Sequence, residues 1–171
     1  EVPLRRLLQI VKGPDFPTSG FIHGTAGIRQ AFHTGRGRIV MRARSHVEPI
    51  AGKSDREQIV VTELPYQVNK AELIKKIAQL VREKRVDGIG DLRDESDRDG
   101  MRMVIELKRD GEPQLVLNQL FRFTPMQTSF GCNMLALNGG RPEQLTLTDF
   151  LRHFITFREE VITRRTKFEL N

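Results

Sequence analysis

The chain has 171 residues, 38% hydrophobic and 29% charged, with 28 Lys/Arg against 22 Asp/Glu. That balance fits one globular domain or a domain with an appendage, and no apolar run approaches the roughly 18 residues of a membrane span. A lone cysteine, Cys132, excludes an internal disulfide, and a reducing compartment suits it.

The distribution of charge is more telling than its sum. Residues 1–56 carry ten Lys/Arg and four Asp/Glu, residues 57–140 twelve and thirteen, and residues 141–171 six and five. No acid occurs between Asp15 and Glu48, and that gap holds Arg29, Arg36, Arg38, Arg42 and Arg44. A single-sign, Arg-rich stretch is the footprint of a polyanion binder; a solvated basic edge strand is the plain alternative.

Residues 3–11 space Leu4, Leu7, Leu8 and Val11 as a helix does, with Pro3 tolerated in the first turn. Residues 12–20 form a loop rich in glycine and proline. Residues 25–33 predict a short helix closed by Gly35. From 36 to 47 the pattern alternates. Arg36, Arg38, Val40, Arg42, Arg44 and His46 share one face of a strand; Ile39, Met41, Ala43 and Val47 share the other. Same-face neighbours stand roughly 7 Å apart, so the strand presents a row of guanidinium groups over an apolar underside. A polar turn over 50–56 and a strand over 57–64 complete a predicted hairpin, 36–64.

Asn69 and Glu72 have the spacing of a capping box. Leu73, Ile74, Ile77, Leu80 and Val81 make the buried stripe of the helix that follows, with Glu72–Lys76 as an exposed i,i+4 pair. Strands are predicted over 89–94 and 101–108, a helix opening at Glu112 and Pro113, and a last strand over 128–137 before the turn at Asn138–Gly140. A long amphipathic helix starts near Thr146 or Thr148 and carries Leu147, Phe150, Leu151, Phe154, Phe157, Val161 and Phe168. The fold class is α+β: a two-layer unit with a mainly antiparallel sheet in split-βαβ order, an Arg-rich hairpin strand and a long C-terminal helix. Residues 1–145 read as the α+β domain and 146–171 as the start of a helical arm. The helix-like patterns at both ends read as part of a longer protein.

Several constellations are weaker than they look. Glu95, Asp97, Asp99, Gly100 and Glu106 mimic an EF-hand loop, but the flanks read as strands, so a charged hairpin turn with Arg93, Arg98 and Arg102 among the acids is expected. The histidines at 23, 33, 46 and 153 lack zinc-ligand spacing. Cys132 reads as a core residue and Tyr66 as a structural tyrosine at a strand end. Phe150, Phe154, Phe157 and Phe168 read as a packing stripe before a base-stacking platform. No catalytic or metal-binding residue is assigned.

The stretches GPDFPTSG (13–20), TGRGRIVMRAR (34–44), ELPYQVNKAELI (63–74), DLRDESDRDGMRMVIELKRD (91–110), SFGCNMLAL (129–137) and VITRRTKFEL (161–170) together resemble the A protein of bacterial type IIA topoisomerases. ELPYQVNK and DRDGMRMVIELKRD resemble the gyrase branch more than the topoisomerase IV branch. The resemblance covers nearly the whole chain in one collinear order and implies the tower region, between a winged-helix domain and a coiled-coil arm. It implies a cytoplasmic, ATP-dependent enzyme that cleaves, passes and reseals duplex DNA to introduce negative supercoils. Its active-site tyrosine lies upstream of residue 1, so the chain alone is expected to be inactive. The implied partners are duplex DNA, a gyrase B protein that supplies ATP hydrolysis and Mg²⁺ binding, and a second A protein in an A2B2 assembly. The implied role is support of the cleaved duplex. Arg36, Arg38, Arg42 and Arg44 are the candidate phosphate contacts, with Arg29 and His33 beside them. A purely structural connector is the alternative. An RNA-binding module is a third reading, but the sheet lacks aromatic base-stacking residues.

Overall fold

A computed structural model describes residues 2–170. In chain order the elements are α1 (Leu4–Ile10), β1 (Phe21–Ile22), α2 (Ala26–Thr34), β2 (Arg36–Arg42), β3 (Arg44–Ile50), β4 (Lys53–Glu63) and α3 (Lys70–Arg82). Then follow β5 (Ile89–Asp94), β6 (Met103–Leu107), α4 (Pro113–Phe123), β7 (Gln127–Asn133), β8 (Leu135–Asn138), β9 (Arg141–Gln144) and α5 (Leu147–Leu170). The chain is α+β, with sheets ordered β3-β4-β6-β5 and β1-β2-β7 and a β8-β9 hairpin. It divides into two compact units. The first comprises residues 1–14, 24–39 and 130–171; the second comprises 15–23 and 40–129.

The second unit is built on the four-stranded antiparallel sheet. Strand alternation turns Ile59, Val61, Met103, Ile105 and Leu107 to one face. There they join Leu73, Ile77 and Leu80 of α3 and Val116, Leu117 and Leu120 of α4 in one core. The opposite face carries a lattice of charge. Arg93 pairs with Glu106, Asp91 and Glu95, and Arg102 bridges Glu95 and Glu48, which also accepts a hydrogen bond from Gln58. Arg93 and Arg102 thus pair among the acids as expected, and Glu106 is a strand residue held by arginine. The EF-hand-like spacing is a β5–β6 hairpin turn, where Asp97 Oδ1 accepts the amides of Asp99 and Gly100.

Asn69 caps α3 by accepting the Glu72 amide at 3.1 Å. Asn69→Ala is expected to lower stability by about 1 kcal/mol in chemical unfolding, with no change in the folded-state spectrum. The exposed partner of Glu72 is Lys75, one residue short of the Lys76 expected from i,i+4 spacing. Beside this cap, Lys70 and Ser96 hold the Asp94 carboxyl at a pKa of about 2, below its ordinary 3.8. A carboxylate with a lowered folded-state pKa contributes stability above its unfolded value and loses it as pH falls toward the folded value. Stability is therefore expected to drop between about pH 4 and pH 2, and Asp94→Asn should flatten that part of a pH–stability profile.

Four sequence expectations need correction. Residues 36–47 are two strands in two sheets. The break falls at Ala43, whose amide donates to the Met126 carbonyl, and β2 leaves to pair with β1 while β3 pairs with β4. The hairpin is therefore 44–63, and its turn is only Ala51–Gly52, because β4 already starts at Lys53. Finally, the order strand, helix, strand, strand, helix, strand holds along the chain, but its last strand, β7, joins β2 rather than the four-stranded sheet. That strand also ends early. Met134 donates to the Gly35 carbonyl and accepts from the Leu145 amide, so 128–137 splits into β7 and β8.

α5 begins at a reciprocal cap. Thr146 Oγ1 accepts the Asp149 amide, and Asp149 Oδ2 accepts the Thr146 amide and hydroxyl. The predicted packing stripe is uncovered along this helix: Phe154, Phe157 and Phe168 are exposed, and only Leu147 is buried.

Candidate nucleic-acid interface

In the first unit, α2 lies directly on the opening half of β2. Ile28, Ala31 and Phe32 are its buried residues, so Arg29, Gln30 and His33 are left on the exposed side. The close approach depends on two glycines. A Cβ on Gly27 would stand 1.9 Å from the Arg38 carbonyl oxygen, and one on Gly37 would stand 2.3 Å from the Gly27 oxygen. Gly35 ends α2 in the left-handed region at φ 79°, a conformation glycine adopts without steric cost, and the chain turns straight into β2.

Along β2 the alternation holds. Ile39 and Met41 are 1% and 2% exposed, while Arg36 and Arg38 face outward. α1 adds to the same unit: between α1 and α2 runs a cleft of about 880 Å³ whose walls include Arg5, Leu8, Arg29, Gln30 and His33. Arg5, Arg29, His33 and Arg36 form no ion pair among the described residues.

Arg42 and Arg44 fall in the second unit, and both are engaged by protein. Arg42 Nε donates to Gln127 Oε1 at 2.5 Å, and its guanidinium lies 4.8 Å from the centre of the Phe121 ring. Arg44 Nε stands 2.9 Å from Glu63 Oε2, over the Phe21 ring at 4.4 Å. Hydrogen bonds from Arg44 and then from the Gly20 amide hold the Glu63 carboxyl below its usual range. Arg36 and Arg38 thus group with Arg29 and His33 in one unit, and the remaining pair of the row belongs to the other.

The division also sorts the charge. The first unit carries twelve Lys/Arg against six Asp/Glu, so it holds the whole surplus of +6. The second carries sixteen of each. Arg5 was not singled out from the sequence. Its signal lay in the basic excess of residues 1–56, but only the placement of α1 beside α2 brings it to this cleft.

Other chemistry is quiet. Burial raises the Cys132 thiol pKa, the opposite of what a nucleophilic cysteine needs. The Tyr66 ring packs against Phe16 with centroids 5.8 Å apart, as a structural tyrosine does. Among the described residues no group of three His, Cys, Asp or Glu side chains is placed to hold a metal, and no helix is long and apolar enough to cross a membrane.

An α+β chain with this arrangement belongs to the family of DNA gyrase and topoisomerase IV A proteins, whose model it matches over residues 1–171. Among curated relatives it is 58% identical to the DNA gyrase A protein of Dehalogenimonas lykanthroporepellens over 170 residues, 99% of this chain and 21% of that protein. It is 56% identical to the DNA gyrase A protein of Granulibacter bethesdensis, over 100% of this chain and 18% of the relative. It is 54% identical to that of Escherichia coli, over 99% of this chain and 19% of the relative. The chain spans about a fifth of the length of these relatives.

Proposed function

We propose that this chain is the part of a type IIA topoisomerase A protein that holds duplex DNA by its phosphates and cuts none of it. One observation carries the reading: the entire cationic surplus belongs to the unit in which Arg29, His33, Arg36 and Arg38 are exposed. Phosphate contacts from such groups give affinity without sequence preference. The fork of an arginine fits a phosphate better than the point charge of a lysine does. Arg5 joins the set from α1. Arg42 and Arg44 contribute less, because binding DNA would first cost them Glu63, Gln127 and their aromatic partners.

In the complete enzyme we assign strand cleavage to a tyrosine elsewhere in the A protein. ATP hydrolysis and Mg²⁺ binding are assigned to a gyrase B protein, within a cytoplasmic A2B2 assembly that introduces negative supercoils. Glu95, Asp97 and Asp99 are given no share in that metal site, since Glu95 pairs with Arg93 and Arg102 and Asp97 is spent on turn amides. Residues 1–145 act as a tower that supports the duplex, and residues 146–171 begin the helical arm.

The test is binding of a duplex of about 30 base pairs, titrated with salt. Three arginine–phosphate contacts predict a log–log slope of about −2.7 or steeper, alike for unrelated sequences. The uncovered Phe154 and Phe157 on α5 favour a second reading, a connector whose task is helix packing. Absence of duplex binding at low salt would select it.

A further inference from the structure

The second unit has no net charge, yet a cleft of about 600 Å³ in it is lined by Lys53, Arg56, Lys108 and Arg109, with Asp55 the only acid among the described residues that line it. The cleft lies where β4 begins and β6 ends. Gln58 pairs with Glu106, so the same register carried outward sets Arg56 across from Lys108. Arg56 is the fixed member. Its Nε and Nη2 donate to the Leu107 carbonyl at 3.2 and 2.9 Å. Behind it lies Gly90, where a Cβ would stand 3.0 Å from Nη2. The remaining N–H groups of Arg56 carry no hydrogen bond among the described residues.

The acids nearby leave these cations under-compensated. Glu106 lies 3.7 Å from Lys53 and 3.8 Å from Arg56, beyond hydrogen-bond reach, and is already bonded to Arg93. Lys108 pairs with Asp87 at 2.6 Å and Arg109 with Asp55 at 3.1 Å, but all four side chains are more than half exposed. Exposed pairs of this kind contribute little and yield to a stronger anion. A clamped guanidinium with free donors, flanked by half-exposed ammonium groups, suits phosphate: the fork fixes one group and the lysines neutralise its neighbour.

We infer that this cleft binds adjacent phosphate groups, as a polyphosphate chain or a nucleic-acid backbone presents them, independently of the Arg29/Arg36/Arg38 surface. Inorganic tripolyphosphate is the probe. Calorimetric titration of the chain at low salt should show one saturable site. A Lys53→Gln, Lys108→Gln, Arg109→Gln variant with unchanged circular dichroism should bind roughly tenfold more weakly or worse. An Arg29→Ala, Arg36→Ala, Arg38→Ala variant should bind as the parent does, which separates this site from the DNA surface proposed above. In the unsubstituted chain, tripolyphosphate should shift the backbone amide resonances of Gly52 and Gly90. A short duplex that displaces the probe identifies the nucleic-acid backbone as the source; a duplex that leaves it in place identifies free polyphosphate. No saturable binding, equal affinity in the glutamine variant, or unshifted Gly52 and Gly90 would overturn the inference.

Discussion

Gly37→Ala is expected to lower the stability of the chain by about 3 kcal/mol. The new methyl carbon would lie 2.3 Å from the Gly27 carbonyl oxygen, 2.7 Å from the Ala31 nitrogen and 2.8 Å from its Cβ. Backbone atoms of a helix do not move aside as a flexible side chain does, so α2 must lift off β2. Gly27→Ala should be at least as damaging, because its methyl carbon would meet the Arg38 carbonyl oxygen at 1.9 Å. For a chain of this size the midpoint of thermal unfolding should fall on the order of 10 °C. Gly131→Ala is the control: it has open space around it, and its expected effect is within about 0.5 kcal/mol. Calorimetric melting of the three variants would check the ranking. Equal melting points for all three would mean that α2 does not depend on this contact.

The second large effect concerns binding. Replacing Arg29, Arg36 and Arg38 together by alanine should reduce the log–log salt slope of duplex binding by about 2.7, from about 0.9 per phosphate contact. All three are on exposed positions of the first unit, so their removal should leave the melting point nearly unchanged. Arg42→Ala with Arg44→Ala should behave in the opposite way. Losing the Glu63 and Gln127 contacts and two ring contacts costs stability, while the salt slope moves little. Fluorescence anisotropy across a salt series, run beside thermal melting, distinguishes the two groups. A slope that drops with the second pair and stays with the first three would move the DNA surface to Arg42 and Arg44, in the second unit.

Much of this architecture is legible in the residues because local signals agree with one another. Asn69 caps α3, Pro113 opens α4, and the alternation of residues 36–42 turns Ile39 and Met41 inward and the arginines outward. The pairing of strands is not legible in the same way. Residues 36–47 alternate without interruption, and nothing local says that Ala43 will donate to Met126 and send the two halves to different sheets. That bond sets Arg44 in a different sheet from Arg36, Arg38 and Arg42, and the boundary between the two units, after Ile39, parts Arg36 and Arg38 from Arg42 and Arg44. The same limit hides Arg5. Its charge is visible, but its place beside Arg29 and His33 arises from the packing of α1 near α2. Conversely, the stripe on α5 is correctly periodic, yet periodicity does not say what covers it, and Phe154, Phe157 and Phe168 are exposed.

In the function proposed above, the α2–β2 surface of the first unit meets the duplex. Site-specific photo-crosslinking tests it most directly, with the photoreactive residue placed at Gln30 on the exposed side of α2 or at Val47 on β3. Crosslinks to duplex DNA from position 30, lost at high salt and weak from position 47, are the predicted result. Efficient crosslinking from position 47 with none from position 30 would contradict it.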